Sequence, residues 1–292
     1  MTRPAERRPI VVGLDPDPGH RMALAWAVDE ADRRRLPLRL VHVEGVPTGG
    51  YRGSAVPPSW EAWNEALHKA GQQVLEEAAA FAAARCPRLE VDALLAEGDP
   101  VWVLREQSRG AAAVVLGSRH LNRKQKVFGR HGVALPLMAH TRCPVVVVPE
   151  PEHITQDPAY FVVGVDGSEH SATAVDVAFE EAALRGAELR ALLVWEPAAP
   201  RVFDEYEPQQ ECRRLLSEIV AGRRARFPEV DLRHEVVLGH PVEVLTDASA
   251  HALGLVVGTR GRGGFTGMLL GSVSQGVLRH AACPVIAVPT PE

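Results

Sequence analysis

The stretch Leu253-Gly-Leu-Val-Val-Gly-Thr-Arg-Gly-Arg-Gly-Gly-Phe-Thr-Gly-Met-Leu-Leu-Gly-Ser-Val-Ser274 decides the fold. It begins as a short apolar run, Leu255-Val-Val257, bounded by glycines, the pattern of a strand buried on both faces. Glycines at 258, 261, 263, 264, 267 and 271 follow. Ser272 then opens a helical pattern that runs to about His280, in the place expected of an N-cap serine. Strand, glycine loop and helix start together make an anion-binding geometry. Glycines let backbone N–H groups approach a phosphate closely, and the helix start adds unpaired donors and a partial positive charge. No Gly-Lys-Ser/Thr follows the glycines, so this is not a Walker A loop. Nor do the glycines follow the first strand, as a dinucleotide fingerprint requires.

Outward from this stretch, the chain is written twice. Ile10-Val-Val-Gly-Leu-Asp15 returns as Val162-Val-Gly-Val-Asp166, and Gly98-Asp-Pro-Val101 as Gly239-His-Pro-Val242. Val114-Val-Leu-Gly117 returns as Leu255-Val-Val-Gly258, and Cys143-Pro-Val-Val-Val-Val-Pro149 as Cys283-Pro-Val-Ile-Ala-Val-Pro289. The copies meet at Glu150-Pro-Glu-His-Ile-Thr-Gln-Asp-Pro158, a linker by composition. Two domains are therefore expected, 1–150 and 159–292.

Strand and helix patterns alternate in each copy, which implies parallel sheets with helices on both faces. In the first, strands are expected near 10–14, 38–43, 90–95, 113–116 and 144–148, with helices near 20–34, 60–85, 100–109 and 133–140. In the second, strands fall near 161–165, 189–194, 231–237, 254–257 and 284–288, with helices near 170–185, 205–226, 241–250 and 272–280. Right-handed crossovers in a doubly wound, five-stranded sheet give the order 3-2-1-4-5. Strands one and four are then neighbours where the winding reverses, and a crevice opens beyond their C-terminal ends. Asp166 and Gly258 end those two strands, so both face the same crevice.

Composition excludes several function classes. A formal charge of -5 argues against general nucleic-acid binding and against a polybasic membrane anchor. No run is apolar and long enough for a signal-peptide core or a membrane span. Cys86, Cys143, Cys212 and Cys283 form no CxxC pair and read as reduced thiols of a cytoplasmic protein. The twelve histidines make no HxH, HxxxH or HExxH pattern, so no metal site is expected.

The glycine loop resembles the nucleotide-binding signature of the universal stress protein family: Gly, two residues, Gly, nine residues, Gly, then Ser or Thr. Gly258, Gly261, Gly271 and Ser272 fill it, with the frequent second serine at Ser274. A flexible surface loop can be as rich in glycine, but not at four fixed spacings between a buried strand and a helix. The resemblance spans both copies and implies a tandem, cytoplasmic, ATP-binding regulator of stress responses, with ATP held alone or with Mg2+. It places Asp166 and Val194 against the adenosine, and Gly258, Gly261, Gly271, Ser272, Val273 and Ser274 around ribose and phosphates. Asp166 also suits a helix cap in Asp-Gly-Ser, and Val194 is equally well explained as core.

The first copy keeps Asp15, Val43 and Gly117, but His120 stands where the second glycine belongs. Neither way of counting onward restores a Gly-Ser pair, so this copy reads as a decayed site under a solvated basic loop, Arg119 to Arg130. The resemblance further implies that the fifth strands pair within one chain, and leaves a homodimer of whole chains open. Two other readings stand beside the regulator. One is an ATP-using transferase or slow ATPase, against which no HxGH or SGGxDS and no evident general base is found. The other is an interaction module that needs no nucleotide.

Overall fold

A computed structural model of the chain describes residues 7–16, 21–44, 60–118, 132–150, 154–196, 206–261 and 270–289. It forms two compact units, Met1–Leu137 and Met138–Glu292.

The first unit runs β1 (Ile10–Leu14), α1 (Arg21–Arg34), β2 (Leu38–Glu44), α2 (Trp60–Arg85), β3 (Val91–Glu97), α3 (Pro100–Ser108) and β4 (Ala113–Gly117). All its strand pairs are parallel, in the order β3-β2-β1-β4. A single-turn helix, α4 (Ala134–Met138), follows. The central strands β1 and β4 are almost continuously buried, as a sheet covered on both faces demands. Edge strand β3 carries Asp92 and Glu97 and is largely half-buried or exposed, which protects an open edge from pairing with other chains.

The second unit runs β5 (Val145–Val148), β6 (Tyr160–Val165), α5 (Glu169–Arg185), β7 (Glu188–Trp195), α6 (Tyr206–Arg226), β8 (Leu232–Leu238), α7 (Pro241–Ala248), β9 (Gly254–Gly258), α8 (Ser272–His280) and β10 (Val285–Val288). Its strands lie in the order β8-β7-β6-β9-β10-β5. All pairs are parallel but the last, where β5 runs antiparallel to β10 with Ile286 opposite Val146. Every residue of β5 and of β10 is buried.

Alternate strand residues divide the core. Val162, Leu192, Leu255, Val257 and Val285 form one cluster with Leu245 of α7 and Val277 of α8, and Val194, Val242 and Val273 pack against it. The helices α7 and α8 approach closely because position 276 is glycine: a Cβ there would collide with Val242. Helix α5 covers β6 and β9 and packs against α6. There Arg223 of α6 reaches Asp176 through two hydrogen bonds, at 2.8 and 3.0 Å, and donates to the carbonyl of Ala172.

The repeat extends to a buried ion pair. Glu30 and Glu181, almost wholly inaccessible, each pair with the arginine four residues on, Arg34 and Arg185. The basic residues also close the C-terminal ends of α1 and α5, where the helix dipole favours cations. The linker's second half is held on its own unit: Gln156 N donates to the carbonyl of His251 at 3.0 Å, and His251 Nδ1 lies 3.0 Å from the carbonyl of Ile154.

Candidate functional site

Neighbouring strands bring the second unit's candidates together. β6 and β9 are parallel, with Val163 beside Val256, so their C-terminal ends emerge side by side. On the other flank Val165 pairs with Leu193, which sets Asp166 level with Val194.

Asp166 ends its strand in a closed turn. Its Oδ1 accepts hydrogen bonds from Ser168 N at 2.9 Å and from Ser168 Oγ at 2.6 Å. Ser168 in turn caps α5, accepting from Ser171 N at 3.2 Å. Gly167 between them has φ 81°, the left-handed region where a side chain is strained. The alternative reading of Asp166 as a helix cap is corrected: the cap is Ser168, and Asp166 braces it. Sequence reasoning passed over Ser168 as a separate part, although a serine three residues before Ser171 is an ordinary start signal. The other carboxylate oxygen, Oδ2, points onto Gly261, where a Cβ would stand closer than 3.0 Å.

The glycine loop is pinned at its base. Thr259, buried, donates its N–H to the carbonyl of Val288 and accepts at 2.8 Å from Gly271 N. The chain thus leaves the sheet at Thr259 and returns beside it at Gly271. Gly258 is pressed against the first turn of α5: a Cβ would come within 3.0 Å of the backbone carbonyl of His170. Residues 262–269, including Gly263, Gly264 and Gly267, lie outside the described residues.

Helix α8 begins one residue earlier than expected of an N-cap serine. The cap is Gly271, with φ -68° and ψ 147°, and Ser272 is the first helical residue. The tertiary bond from Gly271 N to Thr259 O fixes this: it holds Gly271 extended and turns the chain into the helix directly after it. Ser272 is exposed, Val273 half-buried on the core, and Ser274 buried with its Oγ donating to the carbonyl of Gly258 at 2.6 Å. The first intrahelical bond runs from Gln275 N to Gly271 O. Helix geometry leaves the N–H groups of Ser272, Val273 and Ser274 without intrahelical partners, at the positive end of the helix dipole. Arg260, exposed, has its Cα 3.5 Å from where a Cβ on Gly271 would stand. Sequence reasoning did not single out Arg260 or Thr259.

The residues fit an anionic group at α8. The backbone angles of Gly271 suit any residue, and a Cβ there meets neighbours only at 3.5 Å, an ordinary contact. Among the described residues, neither conformation nor internal packing demands glycine at this position.

In the first unit, Asp15, Val43 and Gly117 stand, half-buried, at or just beyond the C-terminal ends of β1, β2 and β4, with β1 between the other two. His120 and the basic loop fall outside the described residues. The helix in the place of α8 is the five-residue α4, which starts at Ala134 and has no serine. Among the described residues no group of three His, Cys, Asp or Glu side chains could hold a metal ion. No helix among them is long and apolar enough to cross a membrane. A groove of about 260 Å3 between α6 and β8, lined by Arg213, Ser217 and His234 among others, shares no residue with the crevice.

The profile of the universal stress protein family matches residues 6–149 and 161–289. The universal stress protein Rv2005c of Mycobacterium tuberculosis is 36% identical over 295 residues, covering 98% of each chain. A second protein of that organism, universal stress protein Rv2623, is 32% identical over 286 residues, covering 95% of each. Among solved structures, a universal stress protein from Archaeoglobus fulgidus superposes over 97% of this chain and 96% of its own, with a TM-score of 0.74 at 18% identity.

Proposed function

The chain belongs to the universal stress protein family, and on that premise we propose that its second repeat, 159–292, binds ATP as a regulatory ligand in the cytoplasm. The phosphates lie at the start of α8, taking the N–H groups of Ser272, Val273 and Ser274 across the space ahead of Gly271. Arg260 contributes charge, and Gly258 and Gly261 shape the loop's base. The nucleoside lies toward the ends of β6 and β7, with Asp166 accepting hydrogen bonds from sugar hydroxyls and Val194 offering apolar surface. ATP enters with or without Mg2+ on its phosphate oxygens; the protein residues named here bind and orient it, and none is placed to hydrolyse it.

One observation carries this reading. Two helices start at the crevice, and they are unlike. The N-terminus of α5 is already closed by Ser168 and the Asp166 carboxylate, whereas that of α8 has a glycine cap and no side-chain bond. A ligand with a polyanionic end and a hydroxyl-bearing middle matches that asymmetry. The first repeat, 1–150, with a single-turn helix at the corresponding place, serves as a partner domain rather than a second site. The pairing of the two repeats through their fifth strands belongs to the same proposal, and the β5–β10 ladder supports it.

Mass spectrometry of ligand released on denaturing the purified protein tests this. An adenine nucleotide near one per chain supports the reading. Protein that carries none and gives no heat when titrated with ATP would leave the nucleotide-independent module.

A further inference from the structure

The three signature glycines are absent of side chains for three different reasons, and one of these assigns a new role. At Gly258 a Cβ would press on the backbone of His170 and Arg260, so that glycine serves packing. At Gly271 a Cβ meets only ordinary contacts among the described residues, and the proposed site gives the place of that side chain to the ligand. Gly261 is neither case. Its φ lies outside the left-handed region, and a Cβ there would meet, among the described residues, the Asp166 carboxylate and nothing else within 4 Å.

We infer that Gly261 is a positioning residue for Asp166, and acts on the nucleotide through that carboxylate rather than by contact with phosphate. This rests on the second repeat being a nucleotide site. Oδ1 is fixed by two donors from Ser168, at 2.9 and 2.6 Å, and that sets the plane of the carboxylate. Oδ2 then has one direction left, across the start of the loop and onto Gly261. A methyl group at 261 stands where Oδ2 stands. Either the carboxylate rotates and gives up the Ser168 bonds, or the loop between Thr259 and Gly271 lifts. Thr259 is bonded through its N–H to Val288 of β10 and through its carbonyl to Gly271 N, so the base of the loop is held and the carboxylate moves. The small residue belongs to the aspartate, and the two positions behave as one unit.

A double-mutant cycle tests this, using the full chain and four proteins: wild type, Gly261→Ala, Asp166→Ala and the double variant. ATP affinity is read by calorimetry, and competition by inorganic tripolyphosphate is read alongside. Gly261→Ala alone should weaken ATP about tenfold and leave tripolyphosphate unchanged. In the Asp166→Ala background the same change should cost nothing further. Equal losses in both backgrounds, or loss of tripolyphosphate binding in Gly261→Ala, overturn the inference. Should wild type bind no ATP, the nucleotide reading falls by itself. Urea unfolding of the same four proteins then decides the coupling: a cost at 261 only while Asp166 is present supports it, and additive costs refute it.

Discussion

Ser274 Oγ donates to the carbonyl of Gly258 at 2.6 Å, joining the third residue of α8 to the last residue of β9 in a buried hydrogen bond. The serine that the signature repeats after Ser272 is thus turned inward, onto the sheet. Ser274→Ala leaves that carbonyl buried and unpaired, which costs about 1–3 kcal/mol. Urea unfolding should show the loss in the midpoint with an unchanged slope. ATP affinity should fall as well, because the start of α8 loses its anchor. An unchanged midpoint would mean that the bond contributes nothing.

Gly271→Ala and Gly271→Val separate folding from binding. The backbone at 271 accepts either residue and the first carbon of the side chain meets no clash, so both variants should melt within a few degrees of wild type. Both should lose ATP, valine completely, because the side chain fills the space before the helix start. Calorimetry on wild type should give one site per chain, and Asp15→Ala should leave that site intact. Two sites of similar affinity would refute the assignment to the second repeat.

Trp195 ends β7 next to Val194, half-buried, with its carbonyl accepting from Gly239 N. It is the only tryptophan of the second unit. ATP should change the emission of wild type, and Trp195→Phe should abolish the change. A signal that survives in Trp195→Phe would place the reporter elsewhere.

The thiol of Cys283, buried just ahead of β10, is pushed up to about 11 from an ordinary 9.0 by burial, against which hydrogen bonds from its surroundings act weakly. A raised value favours the neutral thiol in the folded chain. Its contribution to stability is complete below about pH 9 and is lost as pH rises from there toward 11, while the unfolded thiol ionises first. A thiol-specific reagent at pH 8 should leave Cys283 unmodified in the native protein and label it in urea. Labelling at the same rate in both states would contradict the burial.

A proline at Val146 or Ile286 should break the antiparallel ladder, where the two residues face each other. Hydrogen exchange should then rise along both β5 and β10, and remain low in β6 and β9. Exchange equally fast in the wild-type ladder would mean that the pairing is absent in solution.

Strands and helices were legible because the sequence states each of them twice. A buried run such as Val114-Val-Leu116 and its repeat Leu255-Val-Val257 admit one common reading. Burial and periodicity are local, and local patterns survive in a single chain. The cap of α8 was not legible, because a serine at 272 looks like a cap until the tertiary bond between Gly271 and Thr259 is known. The same holds for Asp166. Its sequence neighbours suggest a helix cap, whereas its second oxygen answers to Gly261, 95 residues away in neither strand nor helix of its own. The glycine spacing told which residues meet at the crevice, but not which of them meet each other.

The antiparallel β5 decides where the chain can be divided. A fragment that starts at the proline-bearing segment after residue 150 would carry β10 as a bare margin of valine, isoleucine and alanine, every residue of it buried in the intact chain. Such a margin invites a second copy, and the fragment would report an assembly of its own making. A fragment that starts at Met138 keeps Val145–Val148 and brings its own border with it. Expression of the second repeat on its own therefore turns on residues 138–150, which the repeat assigns to the other half.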